Sequence, residues 1–186
     1  MRDVQRTVLR NAFNKETFIF TAKDDPDVAQ FDVVLGKGGS GGGNALVHVH
    51  PLAEERFIVR AGQIKVVVEG REQLVGPGQE AVVPRGKPHF FMNAWDGDTE
   101  FTVEFRPPQQ HLLFFSNFAR LTAERPEWFS QQGDPKFLLI AATLAQFKDH
   151  IYLAKPSVRT QKILFALVAP FARLAGYTYN LKPLHG

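Results

Sequence analysis

The stretch GGNALVHVHPLAEERFIVRAG, residues 42–62, decides the predicted fold because it carries two histidines and two glutamates on strand-like segments. Side chains alternate between the two faces of a strand, so His48 and His50 lie on one face, close enough to chelate a single ion. Glu55 shares its face with apolar residues, whereas Glu54 shares its face with two arginines. Strand parity therefore predicts that Glu55 is the glutamate that points inward.

A second stretch, residues 78–93, adds a third histidine. The chain turns at Pro84 and Gly86 and enters a strand on which His89 and Phe91 face one way. Three neutral imidazoles and one carboxylate suit a borderline divalent ion such as Fe, Mn, Ni or Zn, and an octahedral ion would keep two coordination positions open. The predicted metal ligands are His48, His50, Glu55 and His89.

The spacing of these residues resembles the two sequence motifs of the cupin family. The motif residues here are Gly42, His48, His50, Glu55 and Gly62, followed by Gly78, Pro84, Gly86, His89 and Asn93. The resemblance implies a double-stranded β-helix, or jelly roll, whose metal ligands point into the barrel. It also implies a catalytic role for Glu55 as a general base when it leaves the metal. It says little about the reaction, because such folds serve oxygenases, isomerases, storage proteins and regulators alike.

The chain divides into a β-rich part and a helical part. From Thr17 to Arg106, short runs of alternating apolar and polar residues are broken by Gly, Pro and Asp, which predicts about eight or nine antiparallel strands. After Pro107 and Pro108 the apolar residues recur at helical spacing. We therefore expect a mainly β protein with a jelly-roll barrel at residues 1–107 and a C-terminal helical extension at residues 108–186.

Composition excludes several classes of function. The chain has no cysteine, which rules out disulfides, thiolate metal sites, iron–sulfur clusters and cysteine nucleophiles. The net charge of +3, without a basic run interleaved with aromatic residues, gives no reason to expect a nucleic-acid partner. Residues 1–14 lack the continuous apolar core of a secretory signal, so a cytoplasmic location is expected.

The C-terminal segment is basic and locally apolar. No acidic residue follows Asp149, and residues 163–172 are apolar almost all round. That run is too short to span a bilayer. We expect it to pack on the barrel or on a second copy of the chain, which favours a homodimer. The alternative is association of the basic segment with an anionic membrane surface.

Two further features are interpreted as structural. Residues 36–41, GKGGSG, satisfy the spacing of a dinucleotide-binding fingerprint, but the chain continues into the predicted strand of His48 rather than into a helix. We interpret them as a flexible glycine loop at the mouth of the barrel. The histidines outside the two motifs are interpreted as structural or solvent-facing: His111, His150 and His185.

Three functions remain open, and whether the chain is an enzyme at all is undecided. The first is a metal-dependent dioxygenase, an oxidoreductase acting on a small, largely apolar or aromatic molecule. The second is a non-catalytic module that binds or senses a small ligand. The third is an isomerase or epimerase using histidine and tyrosine, disfavoured because the three tyrosines lie outside the barrel segment: Tyr152, Tyr177 and Tyr179. Four phenylalanines of the barrel segment have two possible roles, filling the core or lining a substrate pocket: Phe57, Phe91, Phe101 and Phe105.

Overall fold

The computed structural model describes residues 6–21, 25–40, 46–178 and 181–184. The strands are β1 Arg6–Asn11, β2 Glu16–Thr21, β3 Ala29–Leu35, β4 His48–Val49, β5 Glu54–Ala61, β6 Ile64–Val68, β7 Arg71–Val75, β8 Glu80–Val83, β9 His89–Asn93, β10 Thr99–Arg106 and β11 Tyr152–Leu153. The helices are α1 His111–Glu124, α2 Phe137–Gln146 and α3 Val158–Leu174. Gly42, Tyr179 and His185 lie outside the described residues.

The strands form two antiparallel sheets that face each other. One sheet has the order β1-β2-β3-β10-β5-β8, and the other has the order β11-β4-β9-β6-β7. Consecutive strands of the barrel often lie in different sheets, as in a jelly roll. The prediction of a mainly β jelly roll followed by helices is confirmed. Strand β11, which comes from the predicted helical part, was not expected.

Alternation of side chains decides which face of each strand is buried. Along β3 the residues alternate between buried and half-buried, and Phe31 and Val33 are on the buried face. Strand β10 lies between β3 and β5 and directs Phe101, Val103 and Phe105 into the same core. Each fully buried phenylalanine contributes about 1.5–3 kcal/mol through removal from water, so these rows stabilise the packing of this sheet in the barrel core.

The helices pack on the barrel. Phe115 of α1 lies 5.1 Å from the ring of Phe31 and 5.5 Å from the ring of Phe105, so α1 shares the barrel core. Helices α2 and α3 form a second apolar cluster with strands β4 and β11, made of Val49, Ala141, Leu144, Tyr152 and Phe165. In the described part of the chain, no helix combines the length and apolar character needed to cross a bilayer. The division into two domains at residue 107 stays a prediction.

Two motif glycines have the same backbone conformation but different surroundings. Gly62 has φ of +73° and Gly78 has φ of +76°, both in the left-handed region. A Cβ atom on Gly62 would lie 2.9 Å from Cα of Thr99 and 3.0 Å from the carbonyl oxygen of Asp98. A Cβ atom on Gly78 would have nothing within 4 Å.

We therefore predict that Gly62→Ala destabilises the protein much more than Gly78→Ala. The Gly78 variant should lose only the conformational cost of the left-handed backbone, about 1–2 kcal/mol. The Gly62 variant should lose roughly 1–3 kcal/mol beyond that, because the backbone of Thr99 has to move. Urea unfolding of the two variants measures the difference, and equal midpoints would contradict this account of the turn.

Candidate metal centre

Three strands and one turn bring the four predicted ligands together. His48 on β4 pairs directly with His89 on β9, and Glu55 lies on β5 of the opposite sheet. His50 follows β4. One ligand atom from each of the four side chains lies within 4.8 Å of the others. We refer to His48, His50, Glu55 and His89 as the histidine–glutamate cluster.

Burial agrees with the parity of the strands. Glu55 is buried, whereas Glu54 is half-buried and faces the other side of β5. His50 and His89 are buried, and His48 is half-buried at the edge of the cluster. The two sheets therefore turn one carboxylate and three imidazoles towards a common point inside the barrel.

Backbone carbonyls orient all three imidazole rings. In each ring Nδ1 lies within hydrogen-bond distance of a carbonyl oxygen, so Nδ1 carries the proton and Nε2 is directed away from it. The contacts are His48 with Leu46 at 3.0 Å, His50 with His150 at 2.6 Å, and His89 with Lys87 at 2.9 Å. Rings fixed in this way present Nε2 as the atom available to a ligand.

The donor atoms fit a divalent cation. His50 Nε2 is buried without a hydrogen-bond partner, although Glu55 Oε2 lies 3.4 Å away. His89 Nε2 lies 2.6 Å from the same oxygen. A buried nitrogen without a partner is costly, and a cation between these atoms would satisfy it. Three imidazole nitrogens and a carboxylate suit Fe, Mn, Ni or Zn.

The protonation of His48 and Glu55 suits a cation, whereas that of His89 opposes it. Burial, together with the charges of His89 and His50, lowers the pKa of His48 to about 3, so this ring is neutral at physiological pH. Burial alone would raise the pKa of Glu55, but the imidazoles of His50 and His89 beside its carboxylate lower it below its ordinary value. Burial opposes the charge on His89, yet the hydrogen bond to Glu55 raises its pKa. A proton on His89 therefore has to leave before Nε2 can bind a metal.

A cavity of about 210 Å³ opens beside the cluster. His48 and Glu55 form part of its wall, and the remaining wall is mostly phenyl and aliphatic. The barrel contributes Phe18, Phe31, Val33, Phe91 and Val103, and the helical part contributes Phe114, Phe115, Phe118, Leu139 and Ile140. Of the four phenylalanines with two open interpretations, Phe91 lines the cavity, while Phe57, Phe101 and Phe105 are fully buried in the core.

The helical part supplies contacts that were not predicted. Strand β11 pairs with β4, so that Leu153 lies opposite His48. The carbonyl oxygen of His150 accepts the hydrogen bond that orients His50. Tyr152 lies outside the barrel segment in the sequence, but β11 brings it into the sheet of β4, where it lines the cavity. A backbone acceptor and a strand of two residues leave no periodic pattern in the sequence, which is why neither was found.

The two described histidines outside the cluster are buried next to it. His111 stacks on Phe105 at 4.0 Å between ring centroids, and its ring lies 5.3 Å from that of His50. Burial and the neighbouring His50 lower the pKa of His111 to about 3. His150 Nε2 accepts a hydrogen bond from the backbone of Gln110. Neither ring faces solvent, so the solvent-facing alternative is wrong for both.

The glycine-rich segment leads into a strand. Gly39 donates to the carbonyl of Gly36, and Ser40 donates to the carbonyl of Asn14, so residues 36–40 form turns against the β1–β2 connection. Strand β4 is the next described element. Among the described residues no helix follows the glycines directly, so the described segment has no phosphate-binding helix N-terminus, in agreement with its interpretation as a loop. Gly41 lies outside the described residues, and the flexibility of the loop stays a prediction.

One family model of known proteins matches a large part of the barrel. Residues 32–105 match the family model described as "Cupin domain". No curated protein matches the sequence.

Similar solved structures include a sugar phosphate isomerase of the cupin superfamily from Silicibacter pomeroyi, with 22% identity, a TM-score of 0.48, and coverage of 57% of this chain and 73% of that one. KdgF from Halomonas sp. has 21% identity and a TM-score of 0.45 over 56% of this chain and 90% of that one. A Streptomyces nucleoside dehydratase structure with uridine has 12% identity and a TM-score of 0.44 over 58% and 83%. At these similarities no reaction is transferred to this chain.

Proposed function

Because the chain carries a cupin domain at residues 32–105, we propose that it is a metal-dependent enzyme of the dioxygenase type acting on a small, largely apolar or aromatic molecule. The observation that supports this proposal is the opening of the histidine–glutamate cluster onto the cavity, with His48 and Glu55 in the wall. Iron held there would supply Lewis acidity and reactivity towards dioxygen.

The residues of the chain have distinct roles in this proposal. The cluster would hold the ion through the three imidazoles and the carboxylate of Glu55. The phenyl walls bind the apolar body of the substrate and exclude water, which strengthens electrostatic interactions in the site. Glu55 can act as a general base only after it moves away from His50 and His89, because these two imidazoles keep its pKa low.

Dioxygen consumption tests the proposal. Protein loaded with Fe(II) should take up dioxygen in the presence of a member of a panel of phenols, thiols and diketones. A variant with Glu55→Gln should take up none above the rate of free iron, since it lacks the charged ligand. An iron-loaded protein that consumes no dioxygen with any compound of the panel would overturn the proposal.

Two alternative functions each have one supporting observation. A non-catalytic binding or sensing module is favoured by the contact of His150 with His50, which connects the cluster to the helical part. A ligand that raises the melting temperature without turnover would identify this function. An isomerase or epimerase is favoured by Tyr152 in the cavity wall. If the protein exchanges a proton of a sugar or keto substrate with solvent and the Tyr152→Phe variant does not, the isomerase or epimerase function would be identified.

Assembly as a homodimer is proposed through α3. This helix buries Phe165 and Ala169 but leaves an apolar stripe exposed on its outer face, formed by Ile163, Leu167, Phe171 and Leu174. Residues spaced by about four positions on one helix form a self-complementary ridge, which can pack against the same ridge of a second copy across a two-fold axis. Cytoplasmic location and the absence of a nucleic-acid partner stay predictions.

Replacement of Leu167 by aspartate should dissociate this dimer. The side chain is 66% exposed, so the monomer should tolerate the change, whereas a charge in a packed interface should weaken association by about 30-fold or more. Leu74→Asp is the matched control, because Leu74 is 57% exposed on β7. Light scattering measures the mass. A wild-type monomer that binds anionic vesicles would show that the stripe contacts lipid instead.

A further inference from the structure

The cavity has a second polar end, far from the histidine–glutamate cluster. Glu16 and Ser40 line it there, on the side of the β1–β2 connection. Glu16 pairs with Leu35 of β3, and Leu35 in turn pairs with Thr99 at the start of β10. Glu55 pairs with Phe105, near the end of β10. Thr99 and Phe105 are separated by six residues of β10, or roughly 20 Å of backbone. The cavity is therefore elongated, with a carboxyl group towards each end.

The charges at this second end favour one kind of ligand. Among the described residues that line the cavity there is no lysine or arginine, while Glu16, Glu55 and Asp134 are acidic. At the cluster, a bound divalent ion would offset the charge of Glu55. At the end of the cavity near Glu16, no positively charged side chain of the described residues offsets the charge of this carboxylate. A ligand with an anionic group there would be repelled, because no basic side chain could pair with it.

The surroundings of Glu16 leave room for a cationic partner. Its Oε1 accepts a hydrogen bond from Ser40 Oγ at 3.0 Å, and the carboxyl group is only 6% exposed. Asn11 and Asn14 add further hydrogen bonds, but burial is the larger effect and raises the pKa of Glu16 to about 7. In the described part of the chain Glu16 forms no ion pair. A buried carboxylate without a counter-charge is costly, and a ligand ammonium group would remove that cost.

We propose that Glu16 selects a cationic ligand, an elongated apolar amine whose ammonium group pairs with Glu16 while its ring or alkyl body lies along the phenylalanine walls. The size fits, because an apolar protein cavity of about 150 Å³ holds benzene, and this cavity of about 210 Å³ holds a ring with a short chain. The inference rests on the proposed function only in taking the cavity as the ligand site.

Three probes that differ only in the terminal group test this selection. We would measure the binding of 4-phenylbutylamine, 4-phenylbutanol and 4-phenylbutyrate at pH 8 by isothermal titration calorimetry. The amine should bind about 10-fold tighter than the alcohol, and the carboxylate should bind most weakly. Glu16→Gln should weaken binding of the amine by about 10-fold and change binding of the alcohol by less than about 2-fold. Glu72→Gln, at an exposed ion pair with Lys65, is the control and should change neither.

The outcomes separate this inference from the proposed function. Equal affinity for the three probes, or an amine preference that survives Glu16→Gln, would overturn the role of Glu16. An equal loss of affinity for the amine and the alcohol in Glu16→Gln would also overturn it, because Glu16 would then only support the cavity wall. If the variant does not fold, a preference of the unaltered protein for the alcohol or the carboxylate over the amine still overturns the inference. Binding is measured without turnover, so failure of the dioxygen test leaves the inference standing.

Discussion

A protein with His89→Asn is expected to retain less than about a tenth of the divalent metal that the unaltered chain carries. Asparagine keeps a side-chain donor for the carbonyl of Lys87 and removes the Nε2 atom that lies 2.6 Å from Glu55. Even loss of an orienting contact costs about 10–100-fold in metal affinity, so loss of a ligand atom should cost at least as much. Elemental analysis of protein purified without chelators measures the metal content per chain.

The matched control for this prediction is His150→Gln. The substitution leaves the backbone carbonyl that orients His50, and glutamine can still accept the hydrogen bond from Gln110. Metal content should therefore stay near that of the unaltered protein. Full metal content in the His89 variant, or equal loss in both variants, would contradict the assignment of the histidine–glutamate cluster as the metal centre.

Glu16→Gln is expected to stabilise the protein at pH 8 by about 3 kcal/mol, through removal of a buried ionisable group. Burial raises the pKa of Glu16 from 4.5 to about 7, so the folded state holds its proton where the unfolded state has lost it. The free energy of unfolding therefore falls as the pH rises from about 4.5 to about 7, and it levels off above that range. A shift of this size corresponds to roughly 3 kcal/mol.

The pH dependence separates this effect from a general change in packing. At pH 4 the carboxyl group is protonated in both states, so Glu16→Gln should change stability little. At pH 8 the melting temperature should rise by about 6–12 °C for a chain of this length. Glu72→Gln on the exposed face of β7 should shift it at neither pH. An equal effect of Glu16→Gln at pH 4 and pH 8 would contradict the raised pKa.

The sequence predicts the cluster because strand parity and spacing determine where its side chains point. His48 and His50 share one face of a strand, and Glu55 shares the apolar face of the next strand. In a closed barrel the apolar face points inward, so all three side chains are directed into the barrel. Glu16 carried a usable signal of the same kind, since it has the parity of Phe18 and Phe20, both buried. A glutamate in phase with core phenylalanines indicates an inward carboxyl group.

The contribution of the helical part could not be predicted in this way. Phe114 and Phe118 fit a core-facing helix whether that helix covers the cavity or packs elsewhere, because periodicity reports only that a face is buried. Two residues of β11 are too few to alternate detectably. The orientation of His50 depends on a carbonyl oxygen, which every residue possesses. These features depend on how the helical part packs back onto the barrel, and a local sequence pattern does not report tertiary packing.

The hydrogen bond between His50 and the carbonyl of His150 joins positions 100 residues apart in the chain. During synthesis, the amino-terminal strands leave the ribosome long before residue 150 does, and they can begin to associate as they emerge. The ring of His50 then has no acceptor to fix its tautomer. An ion held by the cluster would therefore reach its final geometry only after residue 150 has emerged from the ribosome.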